Sequence, residues 1–132
     1  MTRTLALVFL SIVAAIPLLA QSVGGKETGL AAVYTDLLDG HVTASGQRYD
    51  KTQLTAAHKT LPYGTKVKVT NLKNNRSVVL TINDRGPVQA GRILDVSAAA
   101  ADRLGFSSKV MREVTLEIVE VGSGKTTKQP PR

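Results

Sequence analysis

The 132-residue chain contains no cysteine and no tryptophan. Without cysteine there are no disulfides, no thiolate metal sites, no cysteine nucleophile and no N-terminal cysteine to carry a lipid. Aromatic residues make up only 4% of the chain. Beyond the N-terminal segment these are Tyr34, Tyr49, Tyr63 and Phe106, too few for a broad platform on which sugars or bases could stack. A long membrane span is missing as well. The one extended apolar run, Leu5 to Ala20, falls short of the ~20 residues needed to cross a bilayer. Following Arg3 and ending in Pro-Leu-Leu-Ala before polar Gln21-Ser22, it reads as a secretory signal over residues 1–20. The expected product is an exported protein without an integral membrane segment and without a lipid anchor, in the periplasm, outside the cell or at the cell wall.

Lys and Arg outnumber Asp and Glu by 17 to 10. Three of the positive charges, Lys125, Lys128 and Arg132, follow Glu120 in a stretch that contains no acid. The remainder is only mildly basic, which suits polyanionic surroundings such as a bacterial envelope but is too weak and scattered for a nucleic-acid surface. His41, with Asp36 and Asp39 nearby, has no zinc-ligand spacing, so neither a metal nor a cofactor is expected.

The pattern of the chain predicts one domain over residues 29–121, between a flexible lead-in at 21–28 and a disordered basic tail at 122–132. Val67 and Val69 alternate with Lys66 and Lys68, which predicts a strand over Thr65–Thr70. A second strand, Val78–Ile82, follows the turn-forming Asn74-Asn75, and the two together predict a hairpin. Val114, Leu116 and Ile118 alternate with Glu113, Thr115 and Glu117 in a further strand, and Leu30–Thr35 is a plausible first strand. One segment reads as helix: Ala98–Leu104, with Ser97 as N-cap and Gly105 just past its end. Short strands with one short helix predict a mainly β fold, closed into a small barrel or packed as a sandwich.

Polar residues interrupt this pattern in three places. Thr43-Ala-Ser-Gly-Gln-Arg-Tyr49 is a run of hydrogen-bonding side chains. In Leu54-Thr-Ala-Ala-His58, an imidazole ends a run of small residues. In Asn83-Asp-Arg-Gly-Pro87, a strand ends on a carboxylate and breaks at once. Together with Leu61-Pro62, Gly64-Thr65 and Gly91-Arg-Ile-Leu-Asp-Val-Ser97, these segments resemble the rare lipoprotein A family of bacterial cell-wall proteins, in matching order and over nearly all of residues 29–121.

The resemblance implies a six-stranded double-psi β-barrel with one or two short helices. It also implies an endolytic lytic transglycosylase, acting without a cofactor on peptidoglycan and preferring strands stripped of stem peptides. Such enzymes cut between N-acetylmuramic acid and N-acetylglucosamine and leave 1,6-anhydro ends. By the same resemblance, Asp84 and His58 form the catalytic pair, with the assignment of acid and base left open. A carboxyl and an imidazole suit a reaction that protonates a leaving glycosidic oxygen and deprotonates an attacking hydroxyl. Ser45, Gln47, Tyr49, Asn83, Arg85 and Asp95 are expected to contact the glycan, Arg85 either there or by pinning a loop. The chain departs from the family at Gln47, where members commonly carry Glu; an amide hydrogen-bonds a sugar but exchanges no proton. That departure gives weight to a rival reading, a non-catalytic glycan-binding or expansin-like wall-loosening module. The expected partner in either case is a peptidoglycan strand met by a monomer.

Overall fold

The computed structural model describes residues 21–127; the segment read as a secretory signal lies outside them. Six strands close into one barrel: β1 (Lys26–Val33), β2 (Thr55–Ala57), β3 (Lys66–Asn71), β4 (Ser77–Asp84), β5 (Arg92–Val96) and β6 (Arg112–Glu120). Their order around the barrel is β1-β5-β2-β4-β3-β6, and β6 closes back on β1. β1 runs parallel to β5 and β2 parallel to β4, while the other neighbours are antiparallel. Each parallel pair joins strands far apart in sequence, as the expected double-psi barrel requires.

Alternation decides which side chains fill the interior. In β3, Val67 and Val69 are fully buried between exposed Lys66 and Lys68. Val78, Leu80 and Ile82 of β4 and Val114, Leu116 and Ile118 of β6 complete the same interior with Leu94 and Val96. β3 and β4 pair as the expected hairpin. β4 extends past its predicted end to include Asn83 and Asp84, so both occupy positions fixed by sheet hydrogen bonds.

The helix α1 (Ala98–Leu104) has its expected bounds. The Ser97 hydroxyl accepts from the Ala100 amide at 3.2 Å and donates to the Gln53 carbonyl at 2.6 Å, so one side chain both caps the helix and ties it to the barrel. Gly105 ends it at φ +79°, a left-handed conformation that suits glycine. Asn71 and Asn74 donate to the last helical carbonyl, that of Leu104. Ala100, Ala101 and Leu104 cover one end of the core.

The structure differs from expectation at both flanks. The lead-in is partly strand: Lys26, Glu27 and Thr28 pair with Glu117, Leu116 and Thr115 of β6. The pairing is made by the backbone, which polar residues supply as well as apolar ones while their exposed side chains face outward. After the barrel, the Gly122 amide donates to Thr65 Oγ1 at 3.0 Å, Gly124 to the Tyr63 carbonyl at 3.0 Å and Thr127 to the Ser45 carbonyl at 2.6 Å. Residues 122–127 therefore lie as a strap along the loops. A Cβ on Gly122 would sit 2.2 Å from the Tyr63 carbonyl oxygen, so glycine is what permits this approach.

Candidate active site

Asp84 ends β4 at one rim of the barrel, and donors from three chain segments meet its carboxylate. Oδ1 accepts from the backbone amides of Ala44 and Arg85, both at 2.9 Å. Oδ2 accepts from the Tyr34 hydroxyl at 2.5 Å. The Ala44 amide reaches Asp84 because the Thr43–Gln47 turn is tied down. The Thr43 hydroxyl lies 2.6 Å from the Gln47 carbonyl and 2.9 Å from that of Asn83, and the Gly46 amide donates back to the Thr43 carbonyl. Each carboxylate oxygen offers two lone pairs. Two amides saturate Oδ1, whereas Tyr34 leaves one lone pair of Oδ2 open.

Tyr34 follows β1, its amide donating to the Val96 carbonyl. It packs against Tyr49, with ring centroids 4.5 Å apart, and the Tyr49 hydroxyl accepts from the Ala98 amide at 3.1 Å. Burial pushes the Tyr34 phenol far above the ordinary 10.0, reinforced by its hydrogen bond to Asp84 and by the negative charges of Asp84 and Asp95. Burial raises Tyr49 too. Tyr34 is therefore a permanent donor.

His58 is 4% exposed, and both of its nitrogens are engaged. Nδ1 accepts from the amides of Thr60 and Leu61, each at 3.1 Å, which leaves Nε2 to donate to Glu27 at 2.8 Å. The ring thus braces the turn that follows β2. It lies beside a cavity of about 160 Å³ lined also by Gln21, Lys26, Glu27 and Leu116. His58 is linked to Asp84 through the backbone, its amide donating to the Asp84 carbonyl at 3.2 Å. The two side chains have separate sets of partners. Arg85 is the second link: Nη1 donates to the carbonyls of His58 and Leu61, and the guanidinium stacks 4.1 Å above the Tyr63 ring. Of the two roles expected for Arg85, the geometry supplies the pinning of a loop.

Gln47, Tyr49 and Asn83 line a groove of about 1050 Å³ together with Arg48, Asp50, Lys66 and Arg103. Asn83 Nδ2 donates to Gln47 Oε1 at 3.3 Å, an acceptor that a Glu there would also present, while buried Asn83 Oδ1 has no partner. Ser45 and Tyr49 are each 2% exposed, so neither offers a ligand much surface, and the Ser45 hydroxyl lies 3.0 Å from that of Thr43. Asp95 is held by Arg92, whose Nε and Nη2 reach Oδ1 at 2.9 and 2.5 Å. Its carboxylate is therefore committed to an ion pair.

Sequence reasoning passed over two participants. Tyr34 figures in the sequence only among the few aromatics, and Glu27 falls in the expected lead-in. Tyr34 could have been found as the sole aromatic next to a strand of small residues. The pairing of Glu27 with His58 depends on the register of β1 against β6 and leaves no local signal.

A double-psi β-barrel whose rim holds a carboxylate between a phenol and two backbone amides defines the class of protein. The chain belongs to the lytic transglycolase family, whose model matches residues 26–119. It is 51% identical over 92 residues to a probable endolytic peptidoglycan transglycosylase RlpA of Synechocystis, covering 70% of this chain and 29% of that protein. Identity to endolytic peptidoglycan transglycosylase RlpA is 47% for Neisseria meningitidis, covering 73% of this chain and 40% of that one. For Vibrio cholerae it is 44%, covering 83% and 41%. The chain thus spans less than half the length of these curated relatives. Among solved structures, the Streptomyces papain inhibitor superposes with a TM-score of 0.57 at 24% identity, over 74% of this chain and 97% of that one. An expansin of Clavibacter michiganensis gives 0.56 at 21%, over 75% and 52%. At these identities the two structures bear out the fold alone. Among the described residues, no helix is long and apolar enough to cross a membrane.

Proposed function

We propose that this domain is an exported endolytic lytic transglycosylase that works as a monomer at the bacterial cell wall on peptide-free glycan strands. The observation that carries this reading is the Asp84 carboxylate, saturated at Oδ1 and open at one lone pair of Oδ2. Protonated there, Asp84 gives its proton to the glycosidic oxygen as the bond from muramic C1 breaks. The muramic C6 hydroxyl then bonds to C1 and returns its proton to Oδ2, closing the 1,6-anhydro ring. No water is added and the carboxyl ends as it began. His58 supports the reaction as a positioning residue, since both ring nitrogens are spent on the 58–61 turn and on Glu27. Gln47 and Asn83 line the adjoining groove, where amides can meet sugar hydroxyls and acetamido groups.

The test is incubation of the protein and Asp84→Asn with sacculi before and after amidase treatment, followed by mass spectrometry of the released fragments. Anhydro-muramic ends from the wild type, reduced at least ~100-fold in Asp84→Asn, support the reading. Gln47 in place of a carboxylate favours the binding-module alternative. Intact glycan that retains the protein without being cut would establish that alternative instead.

A further inference from the structure

We propose that Tyr34 is a positioning residue of the reaction, one that makes Oδ2 of Asp84 the proton-transferring oxygen and holds its free lone pair in a constant direction. The inference rests on the proposed role of Asp84 and adds a residue to it.

The backbone amides of Ala44 and Arg85 already occupy Oδ1, so a proton on that oxygen would have to displace one of these hydrogen bonds. Proton exchange falls to Oδ2, and among the described residues the one group that donates to Oδ2 is the Tyr34 hydroxyl. A donor there stabilises the ionised form of the carboxyl relative to the protonated form. It therefore eases the step in which Asp84 gives its proton to a departing sugar oxygen. It also fixes the carboxylate plane, leaving the free lone pair of Oδ2 in a constant direction.

Tyr34 suits this task because it cannot change state itself. Its ring is 9% exposed and packed on Tyr49, and Tyr49 is in turn anchored to the start of α1. Burial holds the phenol protonated throughout the working range. The other charged or titratable groups around the pair are already committed. Asp95 of β5 is bound to Arg92, Arg85 is turned onto the 58–61 carbonyls, and His58 is held between Glu27 and two amides. The Tyr34 proton is thus the one adjustable contact on the reacting oxygen.

Tyr34→Phe keeps the ring and deletes the donor. The expected result is a fall in kcat on the order of 10- to 100-fold with KM nearly unchanged, from the loss of one hydrogen bond to a charged group. The limb of the pH–rate profile governed by Asp84 should also move to higher pH. A merely structural tyrosine would alter the melting temperature and leave the profile in place. Should Tyr34→Phe fail to fold, 3-fluorotyrosine at position 34 serves as the second variant: its more acidic phenol should move the same limb to lower pH. Asp84→Asn runs alongside. An inactive Asp84→Asn with Tyr34→Phe matching wild type in rate and profile overturns the role of Tyr34 alone. An active Asp84→Asn overturns the catalytic reading on which it depends.

Discussion

At the scale of single residues, the site is a problem of acceptor capacity. Four lone pairs of Asp84 meet three donors, and the phenol among them stays protonated because water has been removed from around it. That burial has a cost in alkali. In the unfolded chain Tyr34 and Tyr49 ionise near 10.0, whereas in the folded barrel they hold their protons beyond that value. The native state then binds more protons than the unfolded state, so stability is present in full below pH 10.0 and declines as pH rises past it. The slope should approach about 1.4 kcal/mol per pH unit for Tyr34, whose phenol is held far above its unfolded value, with a further contribution of the same sign from Tyr49. Denaturant midpoints measured between pH 9 and 11 should show it, and Tyr34→Phe should flatten it. Asp84 and His58 were legible in the sequence as residues of interest, carried by the segments around them. Their partners were not: the Tyr34 contact spans 50 residues and the Glu27 contact 31, and no local pattern encodes separations of that kind.

At the scale of elements, legibility followed period and length. β3 and β6 declared themselves because each alternates over six or more residues with one face fully buried. α1 did so through its cap and terminating glycine. β2 is only three residues long, Thr-Ala-Ala, and β5 reads Arg-Ile-Leu-Asp-Val, with neighbouring apolar residues that blur the alternation; both were read as motif rather than strand. They are strands because β4 and β1 supply parallel partners, a tertiary fact. Ser97 offers a test at this scale. Ser97→Ala removes the α1 cap and the bond to Gln53, and is expected to cost about 1–2 kcal/mol in urea unfolding. A change under ~0.3 kcal/mol would mean that the rest of the barrel holds α1 without its cap.

At the scale of the whole molecule, composition misled at the flanks. A Gly/Ser/Thr/Lys segment buries little apolar surface, which predicts disorder, yet residues 122–127 are held through their amides. If that strap persists in solution, the amides of Gly124 and Thr127 should exchange with deuterium at least ~10-fold more slowly than in a free peptide. A variant ending at Val121 should shift the NMR signals of Ser45 and Tyr63. Exchange at the free-peptide rate would show that the segment leaves the loops.

The closed strand order has a temporal meaning as well. Tyr34, Ala44 and Asp84 come together only when β1 has found β5, β2 has found β4 and the Thr43–Gln47 turn has settled on the rim. Pairings this distant in sequence form late and slowly, on the scale of milliseconds to seconds in comparable β folds. A chain caught half-assembled possesses every residue of the site and none of its geometry. The arrangement of donors around Asp84 is thus absent until the barrel closes.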